Sequence, residues 1–255
     1  MGKQKISKER FEELYKQDLN DVLIAEKLKV TPGTVMRFRH KYGYKAIFKN
    51  PKLEAKPKEI NQEQLEILTG TLIGDSSLQF TSSASKNPIY TVYHGEKQRD
   101  YSLLLADKLF SLEASYKEYL KHDKRRNVDS ITCAVITKSN PLFIPLYNNL
   151  YINGTKTITK EFLDNFTLIS LAYLYMDDGY YSRNTAFICT DCFDLDSVKN
   201  LINHCEKKFD LRFNYEKHGH GYRLRLKVAD FKLFKYLISP YIIDTLKYKL
   251  GTSVT

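Results

Sequence analysis

The chain has 255 residues, enough for one large domain or two modest ones and for a real buried core. Lysine and arginine outnumber aspartate and glutamate 40 to 30, and the net charge of +10 favours a polyanionic partner, nucleic acid first among them. No apolar run reaches the roughly 20 residues of a membrane span and the start of the chain has no apolar signal core, so an intracellular protein with reduced cysteines is expected.

Ser7 suits the N-cap of a helix over 8–17, with Phe11, Leu14 and Tyr15 on one face. Asn20 or Asp21 opens a second helix whose apolar positions are Val22, Leu23, Ala25 and Leu28. Thr31 caps a third, and Pro32 stands in its first turn, where a missing N–H costs nothing. This helix runs to about Tyr42, and Gly43 ends it. Helix, short turn and helix at this spacing predict a helix-turn-helix DNA-binding unit over 1–45. Its recognition helix offers Arg37, Arg39 and His40 to DNA, with Val35 and Phe38 packing behind. A plain three-helix bundle with a solvated basic face is the alternative. Residues 46–60 carry Lys49, Lys52, Lys56 and Lys58 with Pro51 and Pro57, and read as a semi-extended basic linker.

Residues 65–73 are mostly apolar and helical, and they end in Gly74-Asp75-Ser76. A stronger version lies at 168–179: nine residues without a charge, then Asp177-Asp178-Gly179. A helix this apolar is buried on most faces. It carries its terminal carboxylates to one fixed point, where they are costly unless paired, hydrogen-bonded or bound to a metal. Laid over each other, the two stretches match Asp75 with Asp178 at an offset of 103.

After the first copy come strand-like pieces at 77–83 and 89–94, a helix over 99–112, a strand over 130–137 and a helix over 141–151. After the second come strands at 180–182 and 185–189, a helix over 195–209, strands at 211–217 and 222–228, and a helix over 229–238. This mixture lacks the strict alternation of a parallel sheet, so the fold class is α+β with antiparallel sheets. Two such units imply a pseudo-twofold axis, with the two buried helices at it.

Several basic residues suit DNA. In 222–228, Leu224, Leu226 and Val228 point one way and Arg223, Arg225 and Lys227 the other. A basic strand face of this kind fits a duplex groove; a solvated face is the alternative. Lys124, Arg125 and Arg126 form a basic loop, and Arg183 is a further candidate. Cys189-x-x-Cys192 lies near His204 and Cys205, but adjacent ligands are poor geometry for one tetrahedral site, so zinc is not expected. His94, His218 and His220 have no partner spacing that argues for metal or nucleophilic catalysis.

The run Leu171-Ala172-Tyr173-Leu174-Tyr175-Met176-Asp177-Asp178-Gly179, with its looser copy ending at Asp75, resembles the paired signature helices of a single-chain, two-repeat LAGLIDADG homing endonuclease. Asn153-Gly154-Thr155-Lys156-Thr157-Ile158, Ser239-Pro240-Tyr241 and Tyr248-Lys249-Leu250 fit the same branch. The resemblance covers about 60–251 and leaves the N-terminal unit outside it.

It implies repeats over 61–160 and 161–255, each an antiparallel β-saddle with helices packed above it, in a monomer. It also implies hydrolysis of both strands of a long, asymmetric double-stranded DNA site with a divalent metal such as Mg²⁺, leaving short 3′ overhangs. Asp75 and Asp178 would then be the catalytic, metal-holding carboxylates, and the backbone carbonyls of Gly74 and Asp177 would complete the metal shell. Lys156 and Lys249 would be the basic residues of the two halves. Hard oxygen ligands suit Mg²⁺. Gly70 and Gly74, four apart, would let the helix backbones approach, although Tyr173 stands at the matching place in the second copy. The same fold serves RNA maturases. A DNA-binding regulator without catalysis is the other alternative, and the presence of both acids and both lysines argues against it.

Overall fold

The computed structural model describes residues 6–17, 19–45, 59–123 and 127–251. The chain forms two compact units, 1–57 and 58–255. Among the described residues no helix is long and apolar enough to cross a membrane.

In the first unit, α1 (Lys8–Tyr15), α2 (Asp21–Leu28) and α3 (Pro32–Lys41) surround Phe11, Leu14, Ile24, Ala25 and Val35. Each helix starts where expected. The side chains of Ser7, Asn20 and Thr31 accept backbone N–H groups of the first turn, which have no partner inside the helix. Val22, expected in the core, is 59% exposed, and Ile24 takes the inward place beside Ala25.

The second unit begins with α4 (Gln62–Ile73), opened by a capping box between Asn61 and Gln64. Then come β1 (Ser77–Gln79), β2 (Ile89–Gly95), α5 (Arg99–Lys108), β3 (Ser115–Asp123), β4 (Val128–Ile136) and α6 (Ile144–Leu150). A short hairpin of β5 (Tyr151–Ile152) and β6 (Thr155–Lys156) leads through α7 (Lys160–Leu163) to α8 (Leu168–Asp178). The second half continues with β7 (Gly179–Ser182), β8 (Thr185–Cys189), α9 (Leu195–Phe209), β9 (Phe213–His218), β10 (Gly221–Leu226) and α10 (Phe231–Ile238). A 3-10 segment, Asp244–Leu250, follows.

The two main sheets have the same plan. Their strand orders are β1-β2-β4-β3 and β7-β8-β10-β9, with every neighbour antiparallel. The halves are thus structural repeats. β3 was not expected: 115–123 shows no apolar alternation because it is an exposed edge strand, yet it pairs with β4 along its whole length. At the other end of the chain, β10 stops at Leu226, and the exposed Val228 and Lys227 lie beyond it.

α4 and α8 pack against each other at the centre. Leu68 and Leu72 of one and Leu171, Ala172, Leu174 and Met176 of the other are fully buried. A Cβ on Gly70 would overlap the backbone of Ser170, so the close crossing requires glycine there. Ser170 Oγ donates to the Glu66 carbonyl of the facing helix at 2.8 Å. Tyr173 does not prevent the approach, because the tight contact is one-sided and its ring lies 6.1 Å from that of Tyr101.

Candidate active site

The C-terminal ends of α4 and α8 come together. Gly74 closes α4 and Asp75 follows it; α8 ends at Asp178 with Gly179 as its cap. A helix end leaves carbonyls without partners inside the helix, and in each half a lysine approaches that end. Lys249 Nζ donates to the carbonyls of Met176 at 2.6 Å and Asp177 at 2.9 Å. Lys156 Nζ donates to the Ser76 carbonyl at 2.6 Å, just past Asp75. Lys156 is delivered by the β5–β6 hairpin, whose Asn153-Gly154 turn has φ of 52° and 79°. That doubly left-handed pair is the turn that suits a two-residue hairpin. Lys249 is held from behind by Tyr175, which donates to its carbonyl at 2.6 Å.

The electrostatics are those of crowded acids. Burial, then the charges of Asp75 and Asp177, push the Asp178 carboxyl up to about 7. Asp75 is also raised, by burial first and then by Asp177. Burial lowers both lysines. The two cations therefore only partly offset the acids, and the site favours an added positive charge. Its oxygen-rich donors fit a hard dication.

Asp177, expected to act through its backbone, has its carbonyl engaged by Lys249, and its side chain has a place of its own. Its side chain is fully buried and crosses to the other helix, where Oδ2 accepts the Asp75 N–H at 3.2 Å. A Cβ on Gly74 would overlap that carboxylate, so glycine at 74 and aspartate at 177 fit as a pair. His94, set aside on sequence grounds, lies beneath them. Its Nδ1 is 2.9 Å from Ser102 Oγ, and its Nε2 is 3.5 Å from Asp177 Oδ1 and 3.7 Å from Asp75 Oδ2. The signal for it was the alternation in β2: Tyr90, Val92 and His94 all point inward. Among the described residues, Asp75, His94 and Asp177 are the one group of three such side chains whose ligand atoms converge within 4.8 Å.

The candidate DNA contacts divide. Arg37 and His40 are exposed on α3, whereas Arg39 is turned inward. Its Nε donates to both Asp21 oxygens at 3.0 and 3.1 Å and its Nη1 to the Tyr44 carbonyl at 3.0 Å. Arg39 is a structural residue of the first unit. Lys124, Arg125 and Arg126 lie outside the described residues. Arg223 and Arg225 share one face of β10 as expected, but both donate to Glu216 at 3.1 Å. They lie 5.1 and 6.0 Å from the Phe187 ring centroid, and Arg223 also donates to Tyr180 Oη at 3.0 Å. Arg183 is exposed in the β7–β8 turn with φ of 49°, and Lys227 is exposed just past β10.

Residues 65–234 match the LAGLIDADG DNA endonuclease family. The chain is 26% identical over 199 residues to the cytochrome b mRNA maturase bI2 of Debaryomyces hansenii, covering 76% of each. It is 24% identical over 210 residues to the DNA endonuclease I-ChuI of Chlamydomonas applanata, covering 75% of this chain and 96% of that one. It also matches the RecA protein of Mycolicibacterium flavescens, at 24% identity, but spans only 48% of that protein. The structure of the homing endonuclease I-WcaI bound to its DNA recognition sequence has the same fold, with a TM-score of 0.71 and 23% identity over 78% of this chain and 91% of that one.

Proposed function

The chain belongs to the LAGLIDADG DNA endonuclease family, and from that premise we propose that it is a monomeric, site-specific homing endonuclease. It cuts both strands of a long, asymmetric duplex site and leaves short 3′ overhangs. The observation that supports this most directly is the meeting of two acid-tipped helices, each with a half-buried lysine at its end. A monomer with two unlike halves can read a site without twofold symmetry.

Asp75 and Asp178 hold a divalent ion, Mg²⁺ being suited to their oxygens, and the carbonyls of Gly74 and Asp177 are within the same two helix ends. Such an ion, when bound, stabilises charge on the attacking water and on the leaving 3′-oxygen. Lys156 and Lys249 add fixed positive charge beside the scissile phosphates and anchor the helix ends that carry the acids. Exposed Arg37, His40, Arg183 and Lys227, with Arg223 and Arg225 after release from Glu216, bind the duplex. Phosphate contacts set affinity and base contacts set the target. The test is incubation with a randomised duplex library and Mg²⁺: cleavage in both strands at one enriched sequence supports the reading, and intact duplex rejects it.

RNA maturation is the second reading, favoured by the similarity to an mRNA maturase along most of both chains. Specific binding of an intron RNA, with no duplex cleavage, would select it.

A further inference from the structure

Two residues that break the internal symmetry meet at one point. At the offset of 103, Asp177 is the counterpart of Gly74. The sheet ladders supply the other match. Ser77 pairs with Thr91 in the first half and Tyr180 with Phe187 in the second, so His94 falls at the place of Thr190. Thr190 is engaged with its own sheet, donating to the Tyr222 carbonyl at 2.7 Å. His94 and Asp177 therefore have no equivalents in the other half, and their side chains face each other.

Each side chain has one satisfied and one unsatisfied polar atom. His94 Nε2 and Asp177 Oδ1 are both buried and without hydrogen-bond partners. Their separation of 3.5 Å, and the 3.7 Å to Asp75 Oδ2, are long for a hydrogen bond, which has a usual length of about 2.9–3.0 Å. They are close to what two ligands of one ion require. Bonds of about 2.0–2.2 Å place neighbouring donor atoms about 3.0–3.5 Å apart, so the two histidine–carboxylate separations need only a few tenths of an ångström of contraction, and all three ligand atoms already lie within 4.8 Å of one another. His94 Nδ1 lies 2.9 Å from Ser102 Oγ; in the tautomer that carries its proton on Nδ1, the Nε2 lone pair is the one that faces the carboxylates. The 39% exposure of the Asp75 side chain leaves one side open for entry.

We propose that Asp75 Oδ2, Asp177 Oδ1 and His94 Nε2 form a second cation site that shares Asp75 with the paired-acid site and is suited to a borderline transition ion such as Co²⁺ or Zn²⁺. An imidazole donor beside carboxylates favours that class over Mg²⁺, which prefers oxygens alone. The site shares Asp75 with the cleavage reading but includes neither Asp178 nor either lysine, so loss of the ion in His94→Gln does not depend on that reading. If the chain cuts DNA, Asp75 links the two ions.

The test is titration of the chelator-stripped, full-length, tag-free protein with Co²⁺ in the absence of DNA, followed by visible absorption. The wild type gains a ligand-field spectrum that includes nitrogen coordination. His94→Gln and Asp177→Asn each weaken this ion by at least about tenfold, and the nitrogen-coordinated spectrum persists in Asp178→Asn. Circular dichroism and melting check that the variants fold. Should His94→Gln not fold, the wild-type Co²⁺ protein decides by proton NMR, since one hyperfine-shifted imidazole is expected. A wild type without such a spectrum or shifted imidazole, a His94→Gln protein with wild-type affinity, or loss of the ion in Asp178→Asn but not in His94→Gln, overturns the proposal.

Discussion

Asp178→Asn should stabilise the metal-free protein at neutral and alkaline pH. Burial, with Asp75 and Asp177 nearby, holds the Asp178 carboxyl at about 7 against 3.8 for the free group. The folded state therefore keeps a proton that the unfolded chain has lost. Stability falls as pH rises from about 4 to about 7 and then levels off. A shift of about three units corresponds to a ceiling of ~4 kcal/mol. Partial exposure and screening reduce this to about 2 kcal/mol. Asparagine keeps the shape and carries no charge, so it avoids that loss. Urea denaturation with a chelator present, at about pH 4.5 and about pH 8, reads the effect. The variant should exceed the wild type by about 2 kcal/mol at the higher pH, with the gap mostly closed at the lower. Mg²⁺ should then raise the wild type and have little effect on the variant. A variant less stable than the wild type at pH 8, or a gap that does not depend on pH, would refute the charge-crowding account.

Other substitutions probe separate parts of the molecule. Gly74→Ala should cost about 2–4 kcal/mol, from overpacking against Asp177 and loss of the hydrogen bond to Asp75, whereas Gly33→Ala, with open space around it, should be neutral or slightly stabilising in the same melts. Arg39→Ala should destabilise the first unit by about 2 kcal/mol by stranding Asp21. Arg37→Ala should instead leave the melt unchanged and lower duplex affinity. Removing Arg223 and Arg225 together should weaken duplex binding and flatten its dependence on log salt by roughly 1–2. An unchanged slope would mean that Glu216 keeps them from DNA.

The central architecture was legible because two long apolar runs ended in acids at a constant offset, and β10 alternated cleanly as far as Leu226. What the sequence hid was of two kinds. β3 is an edge strand without a buried face, so its polarity resembled a loop. His94 gains its meaning only when sheet register brings it beneath two helix ends, one of them 83 residues further along the chain at Asp177. Arg39 is different. It stands four residues after the buried Val35, on the same helical face, so its inward turn could have been inferred from spacing. The basic composition of α3 drew attention to DNA instead.

The central claim is that the ends of α4 and α8 are one hydrolytic centre. Its most direct test compares the wild type with Asp75→Asn and Asp178→Asn on the duplex selected from the library, with Mg²⁺, scoring binding and cleavage of each strand separately. Both variants should bind the duplex with near wild-type affinity and fail to make the double-strand break. Wild-type cleavage rates in both would contradict the account.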